Sequence, residues 1–215
     1  MKKLILIIIL LAILAGGIWY KTKNNTPLPN ENISTEEYSN EQIGLSFNYP
    51  KELQIKNDGE TVILFHNIAF ENTGACDMVD SGEETYPRLT DFNVQIRVYN
   101  TPLTETVKTL SPYIPEENFV NNELQENPGF IDSVTKGKYS GFMIYEGAEG
   151  CGFTTYYFPT EENQKTLVIR KESIQALSGV RGQEIVNEIL KIPEAISLEE
   201  SDIILNQVIT SLEII

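Results

Sequence analysis

The chain has 215 residues, 16 of them basic and 31 acidic, for a formal net charge of −15 at pH 7. That length accommodates one membrane anchor and one medium domain, since domains commonly run to roughly 100–200 residues, and leaves no room for a second full domain. Lys2, Lys3, Lys21 and Lys23 precede every acid, so the 12 basic and 31 acidic residues that follow give the body a charge of −19, which repels phosphate backbones and argues against nucleic acid as a partner.

Positions 4–19, LILIIILLAILAGGIW, form an uncharged run behind Lys2-Lys3, close to the lower limit for spanning a hydrocarbon core of about 30 Å. Trp19-Tyr20 suit the membrane interface. Residues 1–20 therefore read as an N-terminal transmembrane helix, with a cleavable signal peptide as the alternative, for which Ala15-Gly16-Gly17 offers small residues. A lipid anchor would need a cysteine just after the apolar run, and the two cysteines are Cys76 and Cys151. The glutamate expected just inside a pilin's apolar stretch is missing as well. Lysines flank the run on both sides, so orientation is only weakly biased by charge. The body is expected outside the cytoplasm, where two cysteines fit one persistent disulfide; two buried thiols are the alternative.

Residues 21–42 are rich in Asn, Pro, Thr and Glu and predict a flexible tether. The folded domain is expected over 43–215. Leu45, Phe47 and Tyr49 alternate with Ser46 and Asn48, the period of a half-buried strand, and Pro50 stops it. The nearly continuous run Val62–Ile68 predicts a central strand covered on both faces. NVQIRVY, from Asn93 to Tyr99, alternates again. Leu103, Val107 and Leu110 recur at helical spacing before Pro112. Gly141–Tyr145 and Phe153–Phe158 predict a hairpin joined through EGAEGCG, and Thr166–Arg170 a further strand. A short helix is expected over Gln183–Leu190. Ser197 precedes Glu200 at capping-box spacing, and Ile204, Leu205, Val208, Ile209 and Leu212 then make one apolar stripe of a closing helix.

The stretch GLSFNYP, Gly44–Pro50, together with the ending Asp202–Ile214, resembles the two ends of PsbP-like domains. The resemblance covers roughly thirty residues. It implies an α+β fold, an α-β-α sandwich around a central antiparallel sheet, in an anchored or secreted protein. The histidines with which photosynthetic members of that family meet metal have no counterpart here, because the chain has one histidine; no functional residue carries over.

Chemistry is sparse in the sequence. His66 is the first candidate for a general base or ligand, but it alternates with Val62, Leu64, Ile68 and Phe70, which favours a hydrogen-bonded histidine at the edge of a core. Zinc would want four ligands, or three with an open position, and would consume the cysteines along with His66. Gly147, Gly150 and Gly152 lack the Lys-Ser/Thr and the following helix of a phosphate loop, so they read as hairpin turn glycines. The acidic segment CDMVDSGEE places Asp77, Asp80, Glu83 and Glu84 as weak calcium candidates, although Val79 spoils any EF-hand begun at Asp77; a plain acidic loop is favoured. No catalytic residue and no cofactor are expected. The sequence thus predicts a monomeric, membrane-tethered, extracytoplasmic binding or assembly module, with the membrane and an envelope protein as partners. The alternatives are a hydrolase using two carboxylates in one cleft, or a passive spacer.

Overall fold

The computed structural model describes residues 34–74, 76, 85–161 and 163–215. The apolar run 4–19 and the calcium candidates Asp77, Asp80, Glu83 and Glu84 lie outside them. Among the described residues no helix is long and apolar enough to cross a membrane.

Alternating side chains build most of the fold. β3 (Gln54–Asp58), β4 (Thr61–Ile68), β5 (Leu89–Tyr99), β8 (Ile131–Lys136), β9 (Tyr139–Ala148), β10 (Cys151–Thr160) and β11 (Lys165–Glu172) form an antiparallel sheet of seven strands, ordered β3-β4-β5-β11-β10-β9-β8. β1 (Thr35–Asn40), β2 (Leu45–Pro50) and β12 (Glu213–Ile214) form a second sheet ordered β1-β2-β12. β6 (Phe119–Val120) and β7 (Glu123–Leu124) make a small ribbon. Strand β1 falls where the sequence predicts tether. Its side chains are mostly polar and exposed, and Tyr38, stacked 5.0 Å from Phe47, supplies its apolar contact.

One face of the large sheet carries Val62, Leu64, Val94, Ile96, Phe158, Leu167 and Ile169. Against it lie Ile204, Leu205, Val208 and Ile209 of the closing helix α3 (Leu198–Ser211) together with Leu45 and Phe47 of β2. Each such side chain, fully buried, stabilises by about 1.5–3 kcal/mol before conformational entropy is subtracted. Helix α3 starts where the sequence places it: the Ser197 side chain accepts from the Glu200 amide and the Glu200 carboxylate accepts from the Ser197 amide. The opposite face is covered in part by α1 (Leu103–Leu110), whose Leu103 and Val107 pack with Ile114, Leu124, Ile131, Ile144, Tyr157 and Val168. Helix α2 (Gln183–Ile189) covers neither face: Ile189 packs with Ile174 and Leu177 on Ile68 and Leu89, at the ends of β4 and β5.

These placements correct the α-β-α sandwich expected from the sequence. The described residues are mostly antiparallel strand in three sheets. A three-stranded sheet shares the layer of α3, and the other face has one eight-residue helix in place of a helical layer. The physical reason lies in α2, seven residues long, whose buried Val186 and Ile189 suit a plug and not a covering layer. Strand β4 is corrected as well: Val62, Leu64, His66 and Ile68 are buried while Thr61, Ile63, Phe65 and Asn67 are half-exposed, so one face is covered and not both.

Cys76 and Cys151 form a disulfide with Cα atoms 5.5 Å apart across 75 residues of sequence. Cys151 opens β10 after the two-residue turn Glu149-Gly150, in which both residues have positive φ (52° and 78°), the primed turn that matches strand twist. Gly147 and Gly152 face each other behind that turn. Gly152 has φ +111°, and a Cβ built there would lie 2.0 Å from the Glu146 carbonyl oxygen. The glycines of EGAEGCG are therefore demanded by a tightly crossed hairpin.

Removing the crosslink releases a long loop in the unfolded chain, which in the chain-entropy account costs on the order of 4 kcal/mol. Cys151→Ser is expected to lower the melting temperature by about 10 °C, and calorimetry of the two proteins without reductant checks it. Equal melting temperatures would contradict the assignment. Gly152→Ala is expected to destabilise at least as much, through backbone clash, read from urea denaturation.

Candidate functional site

Because α1 reaches only part of its face, the face opens toward β4, β5 and β11. Cross-strand pairing puts Thr155, Arg170, Gln95 and Ile63 in one row and Glu146, Phe153 and Glu172 in the next. Ile63, Phe65, Asn93, Gln95, Arg97, Phe153, Arg170 and Glu172 are half-exposed. A cavity of about 90 Å³ lies there, lined by Gln95, Arg97, Glu146, Thr155, Tyr157 and Arg170, with Thr61, Tyr99, Leu110 and Val168 completing its wall. Drug-sized ligand sites commonly measure about 300–1,000 Å³, so this volume suits a group of a few heavy atoms.

The wall is electrostatically ordered. Ser111 donates to Glu146 Oε1 at 2.6 Å. Its single proton is thereby used, so in the 2.8 Å contact between the two hydroxyls Tyr157 donates to Ser111. Burial raises the Tyr157 pKa to about 12. Burial and a hydrogen bond to Glu146 raise that of Tyr113 as well. Glu146 is thus held by hydroxyl donors on one side, while its Oε2 stands 3.8 Å from Arg170 Nη2. The Arg170 guanidinium lies 3.6 Å from the Phe153 ring centroid. Arg97 donates to Glu60 at 2.7 Å and lies 4.7 Å from the Tyr99 ring centroid.

A second cavity, about 170 Å³, lies near the start of α3, lined in part by Gly150, Tyr156, Lys171, Glu172, Ser178 and Asp202. Two carboxylate residues line it, but Asp202 is paired with Lys171 at 2.5 Å and the Glu172 carboxylate accepts from Asn93, 2.6 Å away. The first cavity is lined by one carboxylate residue, Glu146. Among the described residues, neither cavity brings together two unengaged carboxylates.

No protein-family model matches the chain. No curated protein matches it either. Among solved structures, the chain is similar to a crystal structure from Bacteroides thetaiotaomicron VPI-5482 at 13% identity, with a TM-score of 0.35, over 80% of this chain and 45% of that one. The chain thus spans less than half the length of that neighbour, and the likeness is too slight to carry fold or function.

The residues singled out in the sequence fall elsewhere. His66 is buried and its Nδ1 sits 2.7 Å from Asp91 Oδ1, while Asp91 Oδ2 accepts from the Ile196 amide at 2.7 Å. The pair ties β4 and β5 to the segment that leads into α3. Among the described residues no group of three His, Cys, Asp or Glu side chains is placed to hold a metal. Cys76 and Cys151 are joined as described. Arg97, Arg170, Glu146 and Ser111 escape sequence reasoning, since they are single polar residues far apart in the chain; the one signal is that Arg97 and Arg170 sit at the outward positions of alternating strands.

Asp91→Ala would leave the His66 ring and a buried amide without their partner, and is expected to cost about 3 kcal/mol in urea denaturation. Tyr156 and Tyr157 both have pKa values raised to about 12 by burial, against about 10 in an unfolded chain. The folded protein therefore holds protons that the unfolded chain gives up, so their contribution is complete below pH 10 and is lost as pH rises toward 12. Melting temperature is expected to fall across that window, with Tyr156 and Tyr157 among the tyrosines that ionise late in absorbance at 295 nm. Early ionisation of all ten tyrosines in the folded state would contradict the burial.

Proposed function

We propose that the chain is a membrane-tethered, extracytoplasmic binding or assembly module whose contact face is the open part of the seven-stranded sheet. One observation carries the reading: Phe65, under Lys56, and Phe153, under Arg170, stand half-exposed on a face that also carries Arg97 and where α1 stops short. Aromatic and arginine side chains are the types enriched at the centres of protein interfaces. The crosslink Cys76–Cys151 supports an oxidising compartment, and the apolar run 4–19 supports the tether. The PsbP-like resemblance belongs to this proposal too. It is supported by the pairing of Glu213 with Ser46 and Ile214 with Leu45, which joins the two stretches that carry it.

Two measurements test this. The full chain is expected to stay with membranes after carbonate washing and to be digested by protease added outside intact spheroplasts; a wholly soluble product with a new N-terminus near Ile18 would replace the anchor by a signal peptide. A photoreactive amino acid at Phe65 or Phe153 in the membrane-bound chain is expected to capture one protein repeatedly, while the same group at Lys191, on the α2 side, captures none. Equal capture from both places would sink the contact face.

A further inference from the structure

We propose that Arg97 and Arg170 form a clamp for a single carboxylate group in the cavity of the open sheet face. The site rests on the reading of that face as a contact face and names the chemistry it takes. The registers Val168–Arg97 and Arg170–Gln95 make the two arginines diagonal neighbours on adjacent strands, with side chains rooted about 7–8 Å apart. Arg170 leans over Phe153 and Arg97 over Tyr99 toward Glu60, so both guanidinium groups reach one small anion once Arg97 turns from the exposed Glu60 into the cavity. Among the described residues Arg170 makes no hydrogen bond: Phe153 holds its plane from one side, and Glu146, its nearest carboxylate at 3.8 Å, is already engaged by Ser111. Its donor fork is held in place by Phe153 and, beyond the loose pairing with Glu146, has donors to spare. Arg97 gives one nitrogen to Glu60, which is largely exposed, and its buried Nε has no protein partner.

Thr155 supplies the independent sign of a ligand. It is 2% exposed, lines the cavity, and its buried Oγ1 has no partner among the described residues. A buried hydroxyl without a partner is costly. An anion bridging the two guanidinium groups would accept from it.

Charge and size narrow the ligand. Among the described residues two guanidinium groups and one carboxylate line the cavity, an excess of one positive charge at its wall once Arg97 leaves Glu60, which stands outside the lining. That excess suits a monoanion, and a planar fork fits a carboxylate bidentately. About 90 Å³ admits a carboxylate and a short stem, and rejects a nucleotide or a sugar. The carboxylate can belong to a small free acid or to the C-terminus of a partner chain.

The full chain in detergent, labelled with ¹⁵N-arginine, tests the site by its Nε–H resonances. Acetate is expected to shift Arg97 and Arg170 along one saturating curve, with Arg88 and Arg181 unmoved. Arg170→Gln is expected to weaken binding roughly tenfold or more. Arg170→Lys keeps the charge and loses the fork, so it is expected to weaken acetate binding while the melting temperature holds. A short peptide ending in a free carboxylate, compared with its C-terminal amide, separates the sources: tighter binding by the acid peptide than by acetate assigns the site to a chain end, and the reverse assigns it to a small acid. Linear shifts shared by all arginines, undiminished binding in both variants, or phosphate binding more tightly than acetate would each overturn the clamp. Acetate binding without photocapture at Phe65 or Phe153 would instead remove the module reading and leave the site standing.

Discussion

The aliphatic stripe of α3 is the contact on which the rest of the described structure depends. Ile204, Leu205, Val208 and Ile209 meet the seven-stranded sheet and β2 at once, so one helix closes a core to which both sheets contribute. Two polar devices set its position. The capping box at Ser197 fixes where the helix begins, and the His66–Asp91 pair holds the preceding Ile196 amide against the sheet. At the far end Leu212 is buried and its carbonyl accepts from Tyr139, which delivers Glu213 and Ile214 to β2 as a short strand. A polar pair buried this deeply contributes geometry more dependably than net stability.

With one face closed in this way, the other is left to a helix of eight residues. α1 covers the part of β10 and β11 around Tyr157 and Val168 and then ends, its last carbonyls followed by Pro112, which cannot continue it. Ser111, just past the helix, accepts from Tyr157 and donates to Glu146. The end of α1 therefore stands at the rim of the open face and orients Glu146, the carboxylate that lines the cavity there among the described residues. Glu146 precedes Gly147 and the crossed hairpin, and the hairpin is tied through Cys151 to Cys76. The crosslink consequently lies near the open face, where it limits how far the end of β9 can move.

A sheet face that α1 leaves half-covered needs polar side chains at most positions, because water reaches it. Gln95, Asn93 and Glu172 meet that need. The aromatic rings are the departure, and three of them carry a cation: Lys56 on Phe65, Arg97 on Tyr99 and Arg170 on Phe153. Each cation shields apolar ring surface while keeping its charge available. Three basic side chains are thereby gathered on one face of a protein whose body is strongly acidic, two of them beside a carboxylate, Glu60 and Glu146.

Local patterns were legible in the sequence because local physics produces them. The alternation of Leu45, Phe47 and Tyr49, the hairpin glycines, the spacing of Leu103, Val107 and Leu110, and the capping box with its apolar stripe all correspond to observed elements. The pairing of Cys76 with Cys151 was legible too, since the chain has two cysteines and both lie in turn-like sequence next to small residues. Strand β1 was not, because an edge strand of polar residues leaves no periodic signal, and β4 was misread as doubly covered because Ile63 and Phe65 look like core residues on a face that stays open. The layering was out of reach for a related reason: an amphipathic helix announces that it will pack, without saying whether against a face, as α3 does, or against the ends of strands, as α2 does. By itself the sequence determined the strands and helices that carry a periodic apolar pattern and which two sulfurs can join, since periodicity, capping and turn chemistry act over a few neighbours. Only the tertiary structure decided that Arg97, Thr155 and Arg170 share one cavity, because strand register brings together residues that nothing in their own neighbourhoods relates.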